Sequence, residues 1–358
     1  MIQTGLLQAQ EISMIFGGQS QTGEYDTEPL KKFTNIKWKT ELDVNGGENF
    51  ILCDNVLYLS GGKGRHGEPA RKGYFYAIDA DSGNIIWTDS TSHFVSAPSK
   101  KDTLLFYGSD DREPKITALN SKNGKLVWEL GLEKHSCWPP AIFENKAFFG
   151  DHNGNWYVVN NRTGQVINRT KIDAGICCSP SIIDNTVYFY DLEGTLHAFD
   201  PNTFAENSVC KLDKGSNNHP VIIGDTALVL DKTGYLVAVN IRTSERIWDF
   251  KIDDVLYRSP AVSKGIAVII STKGYIYALN ISDGSVVWST TKSGQGYKNP
   301  AIAGNVVYIG WSDKYLYAFD LYTGEELWKV KAESAVSTPL VANGIVYFAA
   351  GKYIYALE

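Results

Sequence analysis

The sequence is short of the features that usually assign a protein quickly. No apolar run approaches the roughly 20 residues that a helix needs to cross a bilayer, so no integral membrane segment is expected. Basic residues do not predominate: 34 Lys and Arg face 40 Asp and Glu, a formal charge of −6. Nucleic acid, which needs a cationic face to displace counterions, is therefore not an expected partner. The five cysteines (Cys53, Cys137, Cys177, Cys178 and Cys210) are odd in number and scattered, which is no disulfide framework and leans toward a reducing compartment. The start, Met1 to Leu7, has no cationic region, long apolar core or lipid-accepting cysteine. As it stands the chain reads as cytoplasmic, or as periplasmic or secreted if a leader has been removed. Gly-x-Ser-x-Gly, a phosphate-binding loop and His-rich metal spacing are all missing, and no metal ligands are assigned.

What is present is one phrase that returns every forty residues or so: a small residue, Asp or Asn two positions on, then in most copies Gly four later and Trp four after that. The copies are Ala77-Asp79-Gly83-Trp87, Ala118-Asn120-Gly124-Trp128, Val158-Asn160-Gly164-Asn168, Ala198-Asp200-Phe204-Ser208, Ala238-Asn240-Ser244-Trp248, Ala278-Asn280-Gly284-Trp288 and Ala318-Asp320-Gly324-Trp328. An eighth begins at Ala356 and stops at Glu358; its missing tryptophan stands at the other end of the chain, as Trp38. A repeat that starts at one terminus and finishes at the other describes a ring.

One unit reads as four short strands. Pro260–Ser263, Ala267–Ser271, Tyr275–Asn280 and Ser285–Thr290 are β-branched and aromatic runs separated by Lys-Gly and Asp-Gly turn signals. The fold class expected is therefore all-β: an eight-bladed β-propeller of four-stranded antiparallel blades, closed by the N-terminal strand pairing with the C-terminal blade. Residues 34–358 form this single domain and 1–33 a flexible or capping extension. The Asp or Asn should cap the following turn, Gly should supply its positive φ, and Trp should pack into the junction with a neighbouring blade. In repeats three to five Asn168 and Ser208 stand where the others have tryptophan, and Phe204 and Ser244 replace the turn glycine. That arc is expected to open first. Asp111, Asp151, Asp191 and Asp231 recur at one turn position and read as caps.

The pattern Ala-x-Asp-x-x-x-Gly-x-x-x-Trp resembles the repeat of quinoprotein-like (PQQ-repeat) eight-bladed propellers, over nearly all of residues 36–358. That family includes large pyrroloquinoline-quinone (PQQ) dehydrogenases and non-enzymatic BamB-like binding propellers; the fold hosts both. The repeats disagree most where the innermost strands begin, at the mouth of the central channel. Glu48, Trp138, Cys177, Cys178, Asn218, His219, Tyr257, Arg258, Tyr297 and Lys298 fall on or beside that circle. Arg258 and Lys298, each after a Tyr, would give a cationic, aromatic-flanked wall for a carboxylate, a phosphate or an acidic peptide; the plainer reading is a water-filled channel lined by solvated side chains. The dehydrogenase resemblance implies a ring disulfide at Cys177-Cys178 against a quinone, with Trp138 and Arg258 beside it and calcium on carboxylate and amide ligands. Only Glu48 and Asn218 stand at suitable positions, on opposite sides of the circle, and those enzymes are much longer chains. Trp311 is the candidate exposed aromatic anchor at a protein interface. His66 sits in the enlarged loop 61–73 with basic neighbours, which reads as a solvated basic insertion or, alternatively, a docking hairpin. The expectation is a monomeric, non-catalytic binding or scaffolding module with a protein partner and no cofactor; PQQ with calcium belongs to the dehydrogenase alternative, and a small organic-anion sensor is the third.

Overall fold

The outermost strand of every blade is an exposed edge, so the blades must bury their faces against one another, and they do so around a ring. A computed structural model of the protein describes residue 14 and residues 17–63, 72–91, 96–109, 114–136, 138–212, 215–216, 218–252, 254 and 258–358. After a two-residue strand β1 (Glu24–Tyr25) and a strand β2 (Ile36–Glu41), the chain forms blades at residues 45–91, 99–131, 141–171, 181–211, 221–251, 261–291, 301–331 and 340–357. Blades 1 to 7 each contain four consecutive antiparallel strands running from the channel outward, and blade 8 takes three from the C-terminus and its outermost from β2. In that closing ladder Trp38 lies directly opposite Ala356. Thr34 and Asn35 both donate backbone N–H to the Glu358 carbonyl, at 2.9 and 3.0 Å. The termini thus meet where the other blades have a turn.

The repeated positions do what their chemistry suits. Asp320 Oδ1 accepts the amides of Tyr322 and Thr323 at 2.9 Å each, and Asn240 does the same for Arg242 and Thr243. Five of the six outer tryptophans reach the next blade: Trp38, Trp87, Trp128, Trp248 and Trp288 donate Nε1–H to the carbonyls of Ala80, Ser121, Asn161, Ile281 and Leu321, over 2.6–2.9 Å. Their rings lie on the turn glycine of that next blade. At Gly324, with φ of +72°, an added Cβ would come within 2.6 Å of the Trp288 ring, so glycine is required both for the turn and for the contact. Burying about 200 Å2 of indole at about 25 cal/mol per Å2 gives up to about 5 kcal/mol per junction.

Two junctions lack this lock. Asn168 replaces the tryptophan facing blade 4, and there Phe204 holds the turn's left-handed conformation at φ 61°; in blade 5 Ser244 holds it at 63°. Between blades 3 and 4 the aromatic packing has moved inward. Trp156, fully buried, stacks on Phe189 at 4.2 Å between centroids and tilts against Phe199 at 5.5 Å.

The N-terminal segment is laid into the ring. Met14 is buried in the blade 3 and 4 cluster. Gln19 Nε2 donates to Ile142 O at 2.9 Å, and its carbonyl accepts Ile182 N–H at 2.9 Å. Thr22 and Gly23 carbonyls accept the amides of Val262 and Ile302, at 2.6 and 2.9 Å. Glu24 and Tyr25 then pair in parallel with Ile302 and Ala303, the Tyr25 hydroxyl points to Pro339 O, and Thr27 Oγ1 accepts Asn343 N–H at 2.8 Å. This strap runs along the inside of the ring, meeting blades 3, 4, 6, 7 and 8 in turn. At its end Leu30 O accepts Trp328 Nε1–H at 3.1 Å, and Phe33 packs on the Trp328 ring at 6.1 Å. Residues 30–33 therefore do for Trp328 what the turn of the next blade does for the other tryptophans.

Candidate functional site

The circle where inner strands begin is stitched before it offers anything to a ligand. Small polar side chains there hold adjacent blades together: Ser99 Oγ donates to Pro140 O, Ser179 Oγ to Pro139 O, Ser181 Oγ to Pro220 O and Ser259 Oγ to His219 O, over 2.6–3.0 Å. Asn299 Nδ2 continues the series to Ser259 O at 3.1 Å. Proline carbonyls, bared because proline ends the preceding loop without a donor of its own, are the recurrent acceptors.

Cys178 belongs to this framework. It occupies the same repeat position as Ser96 and Ser337, whose hydroxyls accept the amides of Gly108 and Ala349 at 3.0 and 2.9 Å. The Cys178 sulfur accepts the equivalent amide, that of Tyr190, at 3.4 Å, and its S–H can return a bond to Tyr190 O at 3.3 Å. Burial pushes this thiol up to about 12, so it is neither a ready nucleophile nor easily oxidised. Cys177 is also buried, and the pair is not joined as a disulfide. Cys178 is a serine substitute, placed by its blade.

Four of the expected residues are linked along the mouth. The half-buried Trp138 ring meets His219 edge-on, with centroids 6.5 Å apart. His219 is buried, and burial pushes its imidazole down to about 3; a backbone contact with Gln21 opposes this and the Arg258 charge adds to it. Arg258 in turn donates Nε–H to Tyr297 O at 2.6 Å. A neutral imidazole, a guanidinium and two aromatic residues thus run from blade 3 to blade 7. Asn218 is buried and bound to Ser216 Oγ through its backbone N–H at 3.2 Å. Lys298 is half-buried beside Tyr297. The Glu48 side chain, Tyr257, Cys137, Asp111 and His66 lie outside the described residues.

Below this mouth lies a residue of the N-terminal strap. Gln21 is wholly buried, has φ of 52°, and donates Nε2–H to Pro180 O at 2.6 Å. The strap is thus packed against the wall below the circle. Trp311 departs from expectation: it is 1% exposed and sits inside the blade 6 and 7 core. Its Nε1–H donates to Ser293 O at 2.8 Å, and Gly296 leaves the room it needs, since a Cβ there would lie 3.0 Å from the ring. A bulky residue beside a glycine in the same junction packs inward because that contact removes more apolar surface from water than projection into solvent would.

A second concavity, of about 330 Å3, opens between blades 3 and 4 and was not anticipated. At its base His197 is clamped by two carboxylates, Nε2 to Asp191 Oδ2 at 3.0 Å and Nδ1 to Glu206 Oε1 at 2.6 Å, and stacks on Phe189 at 4.6 Å. Burial disfavours the charged ring, but the two carboxylates outweigh it and the imidazole is held above its ordinary value. Asp191 still caps its turn, accepting the amides of Glu193 and Thr195. The sequence did carry a signal for His197: five of the other seven blades place tyrosine at this position (Tyr76, Tyr157, Tyr277, Tyr317 and Tyr355), and the remaining two have Thr117 and Val237.

The chain matches the family model described as outer membrane protein assembly factor BamB, over residues 37–250 and 232–358. None of the curated proteins matches it. Among solved structures, BamB from Moraxella catarrhalis is similar at a TM-score of 0.73 and 17% identity, covering 90% of this chain and 97% of that one. A europium-containing methanol dehydrogenase is similar at 0.77 and 12% identity, covering 95% and 89%. A quinohemoprotein alcohol dehydrogenase from Comamonas testosteroni is similar at 0.77 and 14% identity, covering 97% and 80%. At such identities the solved structures establish the fold alone.

Proposed function

The chain belongs to the BamB family of PQQ-repeat propellers, and from that premise we propose that it is a non-catalytic scaffold that binds a protein partner through its channel mouth and loop faces. One observation carries the reading. The reactive groups at the mouth are each committed to the framework: Cys178 to the Tyr190 backbone, Arg258 to the Tyr297 carbonyl and His219 to burial in its neutral form. What they leave at the mouth is aromatic surface (Trp138, Tyr297) and cationic groups (Arg258, Lys298), suited to an acidic or aromatic side chain from another polypeptide. The test is a photo-cross-linking residue at position 297 in the native host. A covalent adduct with a discrete protein is expected; adducts with none would end the reading.

The dehydrogenase neighbours warrant a direct check against the same residues. The resemblance to dehydrogenases implies vicinal cysteines joined at a quinone face, and here both are buried and unjoined to each other, with Cys178 bonded to the Tyr190 backbone. Among the described residues no three His, Cys, Asp or Glu side chains converge as metal ligands. The described residues do not assemble a site for PQQ with calcium. Adding both to the purified protein is expected to give no dye-linked oxidation of alcohols or sugars, and oxidation abolished by Arg258→Ala would establish the catalytic alternative instead.

A further inference from the structure

We infer that the inner wall of the ring is a receptor for an extended polypeptide main chain, and that the strap is its resident occupant, displaceable by a partner's extended segment. The inference deepens the reading above, resting on it only for the idea that the occupant is a polypeptide.

The wall has a repeated recognition element. Ile182, Val262 and Ile302 are each the middle residue of a three-residue inner strand. Each turns its backbone N–H to the channel, where it meets a strap carbonyl: Gln19, Thr22 and Gly23 respectively, at 2.6–2.9 Å. The inner strands have no further strand beyond them in their own blades, so every one presents such an edge, and an unpaired edge is a template for pairing. The strap satisfies it by β-addition, most regularly where Glu24 and Tyr25 align with Ile302 and Ala303. Main-chain groups make these three bonds, which any extended backbone could supply. The strap's own side chains add to them, Gln19 and Gln21 donating to Ile142 O and Pro180 O and Glu24 accepting from Ser263 Oγ. Gly23 passes so close that a Cβ would lie 2.8 Å from the Ala261 methyl and 3.3 Å from Pro300 O.

The strap is also separable from ring closure. The closing ladder begins at Ile36, and the Glu358 carbonyl is already held by Thr34 and Asn35, downstream of every strap contact with the channel wall. Withdrawal of residues 17–27 would bare the wall and leave Trp38 opposite Ala356. A main-chain exchange of this kind costs little, because one set of backbone hydrogen bonds replaces another of the same type.

The experiment uses the full chain carrying Gly23→Val, which blocks the close approach without altering the wall, and reads amide hydrogen exchange. Exchange at Ile182, Val262 and Ile302 should quicken by about tenfold or more, while Ile269 and Tyr308, deep in their blades, keep their protection. A synthetic peptide of residues 17–30 should restore protection at all three, and a peptide of alternating Thr and Val should do so at higher concentration. Failure of both peptides, or success of the first alone, would overturn a main-chain receptor. Should the variant not fold, the parent chain decides. The three wall amides are expected to exchange through an opening lower in free energy than that of Ile269 and Tyr308; exchange of all five only together, by global unfolding, would show the strap to be part of the core. Because the probes are synthetic, the outcome does not depend on whether cross-linking finds a cellular partner.

Discussion

The junction between blades 6 and 7 and the junction between blades 3 and 4 solve one problem in two ways. In the first, Trp288 bonds to Leu321 O and lies on Gly324 at the outer edge. In the second the outer position is Asn168, and Trp156, Phe189 and Phe199 fill the inner half of the junction. The strap is fastened on the inside of this same arc, with Met14 in its cluster and Gln19 joining Ile142 of blade 3 to Ile182 of blade 4. A ring has no free end to relax, so a lock missing from one radius must be supplied at another. The same logic holds where the chain breaks: Trp328 has no downstream blade turn, and Leu30 and Phe33 stand in for it.

Removing the lock where it is complete should have the largest effect. Trp288→Ala is expected to destabilise by about 3–5 kcal/mol, the usual range for a large aromatic truncated in a core, as read from a denaturant midpoint. Gly324→Ala should cost about 2–3 kcal/mol, combining the left-handed backbone with a clash against the indole; an unchanged midpoint would show that the glycine serves the turn alone. Native-state hydrogen exchange should find the amides of Val187 to Tyr190 in blade 4 less protected than those of Val306 to Gly310 in blade 7. The reverse order would mean that the inner aromatic stack and the strap more than compensate for the missing tryptophan.

The weaker arc should also be the pH-sensitive one. His197 has a folded value raised above its ordinary 6.5, so its contribution is fully present below that value and is lost as pH rises through the folded one. Asp191 has a folded value lowered below 3.8, so its contribution is present above 3.8 and is lost as pH falls through the folded one. Blade 4 amides should accordingly be best protected between those limits and open sooner on the alkaline side, and His197→Gln should flatten that alkaline slope while leaving blade 7 unchanged. The smallest effect is expected at Ser244. Replacing it by Gly relieves a left-handed backbone at an exposed turn, offset by the entropy of glycine in the unfolded chain, for a net gain of about 0.5 kcal/mol in melting experiments.

Much of the site was harder to read than the fold. The circle of variable residues at the channel mouth was visible once the repeats were aligned, and Trp138, His219, Arg258 and Tyr297 do form one connected run. Variability alone did not reveal that Cys178 is a serine equivalent; that required seeing Ser96 and Ser337 accept the corresponding amides. Trp311 was misread because its repeat position said nothing about Gly296, fifteen residues earlier and in the same junction. His197 stood out only against a column of mostly tyrosines, and its partner Glu206 is contributed by the next strand.

Blade number, strand order and the meeting of Trp38 with Ala356 were determined by the sequence itself, because a repeat writes the same short-range contacts many times and each copy corroborates the phase of the others. The path of the strap, the inward turn of Trp311 and the carboxylate clamp on His197 were decided only in three dimensions. The strap is the clearest case: three of its contacts with the wall join backbone groups more than a hundred residues apart in the chain, and a backbone amide carries no letter of its own.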